Sequence, residues 1–356
     1  MTEAEPLPER VRAEARAVGV SLVTLRPVGA RRWPLALQAA LAMAVPIVAM
    51  AVAGHEDLAL LGAPGAFAVV YGGWLRPRER ARFAPIVAVA LVLTAAVGAF
   101  SAVGGHAAVL AGIAVIAIGS TALAGWLSIG PPGPVFIVLV FGLSARIVAA
   151  RDGAQAVTPA VYLSAVAVTA VFACLVVAAP LLSRRYRRER PRPLRELFLR
   201  RWGPAARAMT LRAGIVAVIG VAIAAIVDPD RAYWIVSAGV AVAGMPIGRR
   251  AAATRSIHRT VGTVVGAGIY LALAFIPFAV WMLGVLFGAM QFLIELVIMR
   301  NYAFALAVIT PLVLLLIGAS TGETESVEIA LERVLDTFVG AALGAATAVF
   351  VRLRAG

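Results

Sequence analysis

Lysine is absent: every one of the 32 basic residues counted as Lys+Arg is an arginine. Cysteine occurs once, at Cys174 inside an apolar run, which excludes a disulfide framework and a thiolate metal site. The three histidines, His55, His106 and His258, are far apart in the chain and give no ligand spacing for a metal. The sequence contains no Gly-Lys-Ser/Thr phosphate loop, no Gly-x-Ser-x-Gly elbow and no His-Glu-x-x-His pair. These absences argue against an enzyme, leave no cofactor or metal to expect, and require any energy source to be an ion gradient or a partner. The first residues also lack the basic-then-apolar pattern of a cleavable signal peptide.

What is present is hydrocarbon. Of 356 residues, 62% are hydrophobic and only 14% charged, and the mean hydropathy is +0.94. A water-soluble domain could not carry that surface, so the chain reads as a polytopic membrane protein. The net charge of +14 does not point to nucleic acid. The arginines lie in short segments between apolar runs, where they act as orientation signals and contact anionic lipid headgroups.

The apolar runs fall at about 33–53, 58–75, 84–103, 107–127, 132–150 and 159–182, then at about 209–227, 233–248, 260–276, 278–299, 302–319 and 333–351, each near the roughly 20 residues that cross a bilayer. The expected fold is therefore an all-α transmembrane helical bundle of about twelve spans in two parallel six-helix repeats. Residues 1–32 form a cytoplasmic tail, in which Leu7 to Leu25 either lies along the membrane surface or is solvated. Residues 33–182 are the first half, 183–208 a basic cytoplasmic linker on lipid headgroups, and 209–356 the second half. Arg31, Arg32, the Arg76 to Arg82 turn, the linker, Arg249 to Arg259, Arg352 and Arg354 mark the inner side. Arg151-Asp152, Asp228, Asp230, Arg231 and the acidic turn from Glu323 to Glu332 mark the outer side. The span most in question is 260–276, which is short and ended by Pro277.

Ionisable groups inside spans cost roughly 2.5–3.5 kcal/mol on insertion and so stand out as candidates for function. Arg333, Arg212 and Arg146 could receive an anion's carboxylate in the planar fork of a guanidinium. Arg212 and Arg146 could equally reach for headgroups. Asp336 and Glu295 are the carboxylates that could carry a coupled proton; Arg333 with Asp336, or Glu295 with Arg300, could instead be structural ion pairs. Tyr233 and Trp234 open one span and could stack on an aromatic solute or belong to an interfacial belt. Arg259, Gly262, Thr263 and Gly266 set small residues at a spacing of four, which lets helices approach closely in lipid.

Several stretches carry a resemblance: Tyr233-Trp234, Arg255-Ser-Ile-His-Arg259-Thr-Val-Gly262-Thr263-Val-Val-Gly266, Arg300-Asn-Tyr302-Ala and Arg333-Val-Leu-Asp336-Thr337-Phe-Val-Gly340. They resemble the fusaric acid resistance family of bacterial membrane proteins, itself similar to aromatic-acid efflux proteins and more distantly to the malate channels of plants. The resemblance covers the second half well and the first weakly. The first half has no Arg-x-x-Asp-Thr in its sixth span, and the chain lacks the large cytoplasmic insertion of many longer members. The resemblance implies export of an aromatic carboxylate or other small organic anion across the bacterial inner membrane; the even span count and the arginines near each end place both termini in the cytoplasm. A passive organic-anion channel formed by two or more chains of a homo-oligomer around a pore, and a non-transporting scaffold that docks a partner on the basic linker, are the other readings.

Overall fold

The computed structural model describes residues 7–28, 32–150, 157–198, 200–322 and 326–351, which form helices and turns without a strand. Arg31, Arg151, Asp152, Glu323, Glu325, Arg352 and Arg354 of the charge pattern lie outside the described residues. An amphipathic helix α1 (Leu7–Val23) precedes the bundle. Nine helices among the described residues are long and apolar enough to cross a membrane. They are α2 (Trp33–Val52), α3 (Pro77–Val103), α4 (His106–Trp126), α6 (Pro159–Ala178), α7 (Pro204–Val227), α9 (Arg249–Ala274), α10 (Val280–Val297), α11 (Tyr302–Thr321) and α12 (Ser326–Phe350). The chain is an all-helical, multi-pass membrane bundle.

The three other expected spans take shorter forms, and local sequence explains each. Around Gly62-Ala-Pro64-Gly65 the run at 58–75 breaks into helical turns Glu56–Ala59 and Ala63–Ala66 and a 3-10 turn Phe67–Val70. Pro131, Pro132 and Pro134 delay α5 until Val135–Val148, and Gly244 with Pro246 stops α8 at Ala232–Ala243. All three are interior. Every residue of α8 is buried, as are residues 59–72 and most of α5. Irregular backbone at membrane depth is tolerated only where protein rather than lipid surrounds it, and that condition holds here. Long helices wrap these pieces and turn Val, Leu and Phe outward, for example Val89, Leu93 and Phe100 on α3.

The packing plan recurs between the halves. The first span of each half lies on the fourth span of the other, α2 on α10 and α7 on α4. Within each half the third span packs on the fifth and sixth, α3 on α5 and α6, and α9 on α11 and α12. The second segment packs on the sixth, residues 63–70 on α6 and α8 on α12.

Close approach through glycine holds two of these contacts. A Cβ on Gly262 would strike the Ala303 carbonyl of α11, and one on Gly266 would come within 2.7 Å of Thr310 Cβ. Gly340 and Gly344 of α12 meet the α8 backbone in the same way, at Ile235 and Gly239.

One helix start differs from expectation. Arg249 to Arg259 is not a turn preceding a span at 260–276: α9 is already helical from Arg249, so Arg255 and Arg259 ride inside the helix, and the span is a full 26 residues.

The two ends of the bundle are chemically distinct. At the arginine-rich end Arg32 pairs with Glu295 at 2.9 Å, and Arg192 of the linker grips the fully buried Glu79 at 2.9 Å. At the opposite end Asp230 pairs with Arg146 at 2.7 Å and lies 3.3 Å from His106.

Candidate functional site

The second half buries a ladder of guanidiniums among α8, α9, α11 and α12. Arg255 and Arg259 stand one helical turn apart on α9, on the face that Gly262 and Gly266 press against α11. Arg255 lies over the Tyr302 ring, 3.8 Å from its centroid, and its Nε donates to the Ala241 carbonyl at 2.8 Å. Arg259 Nη1 donates to the Tyr302 hydroxyl at 2.8 Å. Tyr302 is placed by Asn301, whose Oδ1 accepts from Ala303 N and Phe304 N and caps α11.

Further along, Arg333 of α12 lies on the Trp234 ring, 3.7 Å from its centroid. The indole is in turn stacked on Tyr233, with ring centroids 4.4 Å apart.

Within this ladder the hydrogen-bonding capacity is incomplete. Arg333 is 3% exposed and Arg259 5%, yet Arg333 Nε and Nη1 and Arg259 Nε have no hydrogen-bond partner. The hydroxyls of Thr263, Thr310 and Thr337, from α9, α11 and α12, are buried and unpartnered as well. Buried polar groups are ordinarily satisfied, and an unmet charged donor is the most costly exception. Arg259 and Arg333 lie close enough for their charges to act on each other. The nearest carboxylate, Asp336, is engaged elsewhere: its two oxygens accept from Arg231 Nε at 3.0 Å and Nη2 at 2.9 Å. The arrangement is thus a buried, positively charged locus with donors to spare, chemically suited to a carboxylate or similar oxyanion.

Arg231, in the turn between α7 and α8, also bonds Glu332 at 3.1 Å. Burial works against its charge, but the bonds and charges of Asp336 and Glu332 outweigh that and raise its pKa above the ordinary value. It closes the ladder at the end opposite the arginine-rich one.

The residues singled out in sequence separate in space. Arg333, Trp234 and Tyr233 come together, with Arg259 and Thr263, which sequence spacing had given only a packing role. Asp336 stands beside them but bonds Arg231 rather than Arg333. Arg212 does not join: it is 1% exposed, and its guanidinium is spent on backbone carbonyls of Val351 and Ile247, tying α7 to the ends of α12 and α8. Arg146 is in the ion pair with Asp230. Glu295, on α10, is bonded to Arg32 rather than Arg300. Sequence reasoning missed Tyr302, Thr310, Thr337 and Arg231 as parts of one locus. The available signal was the i, i+4, i+8 spacing of Arg255, Arg259 and Thr263, which puts all three on one helix face.

A multi-pass helical bundle with uncompensated arginines in its interior defines the class: a polytopic membrane protein with a buried cationic site. Residues 213–347, within the second half, match the family described as fusaric acid resistance protein-like. The matched stretch contains the ladder from Arg255 to Arg333 and excludes the first half. Comparison with curated proteins found no match, and comparison with solved structures found none.

Proposed function

We propose that the protein is a secondary transporter that exports small organic anions, aromatic carboxylates among them, across the inner membrane of a bacterium. The observation that carries this reading is the pair Arg259 and Arg333, both buried, both with unpartnered donors, in a segment of the fusaric acid resistance family. A charge held at membrane depth without its hydrogen bonds is costly enough that retaining it argues for use. An anion reaching this locus would exchange its hydration shell for guanidinium donors and threonine hydroxyls. The Trp234 and Tyr233 rings offer apolar faces to an aromatic body.

Export needs the locus to open alternately to the two ends. At the arginine-poor end, Arg146 with Asp230 and Arg231 with Asp336 and Glu332 are ion pairs that must part for an anion to leave. Asp336 is the carboxylate best placed to couple this to a proton: protonation would release Arg231. Glu295, bound to Arg32 at the arginine-rich end, is the second candidate. The basic linker presents exposed Arg184, Arg185, Arg187 and Arg188 with exposed Leu182 and Trp202, a composition suited to anionic headgroups. By the positive-inside rule that end is cytoplasmic, with both termini.

Uptake of labelled aromatic acids into inverted vesicles, with and without an imposed proton gradient, tests the reading. Gradient-driven accumulation is expected in the native protein. Arg333→Ala should lower apparent affinity about 10–100-fold, the worth of one or two charge-assisted hydrogen bonds. Asp336→Asn should abolish accumulation against a gradient. Equilibration indifferent to the gradient would make the protein a passive channel; absence of flux for every acid would favour a scaffold.

A further inference from the structure

We propose that α1 is the gate of the cationic locus at the arginine-rich end, latched through Ser21 to His258 and through Asn301 to the last carbonyls of α1. This rests on the reading of Arg259 and Tyr302 as part of a site. The attachment is narrow. Among residues 12–23 of α1, Val18, Ser21 and Leu22 are half-buried and the others exposed. Val20 and Val23 are among the exposed ones and make no apolar seat for the helix.

Polar contacts hold it instead, nearly all at its C-terminal end. Asn301 Nδ2 donates to the carbonyls of Leu22 at 2.8 Å, and of Ser21 and Thr24 at 3.2 Å. Arg26 N donates to the Arg300 carbonyl at 3.1 Å. Ser21 Oγ donates to the Val18 carbonyl at 2.7 Å. Its single proton is thereby used, so at 2.8 Å it accepts from His258 Nε2–H. A surface pair between Glu14 and Arg250 completes the set. Hydrogen bonds of this kind exchange readily with water, and so the latch is releasable.

Its position gives the latch a consequence. His258 immediately precedes Arg259, and Asn301 immediately precedes Tyr302, the two residues joined by the 2.8 Å bond of the ladder. Both latch residues are buried, His258 at 7% and Asn301 at 3% exposure. Asn301 serves two elements at once: Oδ1 caps α11, and Nδ2 satisfies α1 carbonyls that a helix terminus otherwise leaves open. Docking of α1 is therefore read directly at the start of α11, where Tyr302 holds Arg259. Undocking would uncover His258 and Asn301 and open the way from the arginine-rich end to Arg259 and Thr263.

The test uses full-length protein in which Cys174→Ser removes the native thiol and Thr263→Cys reports from the locus. Reaction with a membrane-impermeant maleimide is followed in detergent and in vesicles. Asn301→Asp keeps the Oδ1 cap of α11 and removes the donors to α1; Ser21→Ala removes the acceptor for His258. Either variant should speed labelling of Thr263→Cys about tenfold, as expected when a closed state populated at roughly 90% or more is released. Thr121→Cys, buried in α4 of the first half, monitors fold integrity and should stay unreactive. Unchanged labelling in both variants would overturn the proposal, as would a parallel rise at Thr121→Cys, because α1 would then only stabilise the fold. No substrate enters the assay, so failure to find a transported acid leaves this result standing on its own.

Discussion

A guanidinium on an indole face keeps its charge without a counter-ion, at an attraction of about 2 kcal/mol when desolvated. Arg333 on Trp234 is held in this way, with Nε and Nη1 unbonded. Its exchange for an apolar side chain of similar length should therefore help the fold and hurt the function. Arg333→Met is expected to leave thermal stability in detergent unchanged or raised by about 1 kcal/mol or more, as when buried ions give way to packed hydrocarbon. The native protein should gain about 2.7 kcal/mol in the presence of an aromatic acid at a hundred times its Kd, and the variant, binding about 10–100-fold more weakly, should gain only about 0.4–1.4 kcal/mol at the same concentration. Arg333, Asp336 and the Tyr233-Trp234 pair were legible in the sequence because a charge or a doubled aromatic in an apolar run is conspicuous. Arg259 was not, because it ends a run of arginines that reads as a topological signal. Arg231 was assigned to an outer loop by its acidic neighbours; only folding brings that loop over the second turn of α12.

At the scale of elements, the decisive contacts are helix crossings made through small residues. Gly262 faces the Ala303 carbonyl and Leu306 of α11, whereas Gly268, further along the same helix, faces nothing within 4 Å. Gly262→Ala should therefore destabilise by about 1–3 kcal/mol. Gly268→Ala should be neutral or stabilising by up to about 1 kcal/mol through helix propensity alone. Thermal unfolding of the two variants side by side separates packing from propensity. The long helices were readable from apolar length, and the spacing of four at Gly262 and Gly266 was readable as packing. The forms of the second, fifth and eighth segments were not: hydropathy registers that residues 58–75, 132–150 and 233–248 are apolar, but not that their prolines and glycines shorten them into an enclosed core. The start of α9 was misplaced for a related reason, since a run of arginines looks like a loop when only charge is weighed.

For the whole molecule, the halves share a packing plan, while the buried arginines with unpartnered donors, Arg259 and Arg333, belong to the second. The repeat was visible in the sequence as two sets of six apolar runs on either side of the arginine-rich linker. The exchange of first spans between halves was not visible, because nothing in α2 names α10 as its neighbour. That exchange predicts how the chain divides. Cut within residues 183–203 and expressed as two pieces, the halves should recover a folded complex together, and each alone should be degraded; co-purification of one piece through a tag on the other checks this.

The same exchange also sets the order of events at the ribosome. The first membrane helix, α2, is made with Gln38 in its second turn and Arg32 at its head, and the Glu295 that answers Arg32 arrives on α10, more than half the chain later. Until then Arg32 lacks that carboxylate, whereas Gln38 finds Val176 on α6 and Arg80 on α3 within the first half. The contact that seats α2 against α10 can form only once residues 280–297 have been made.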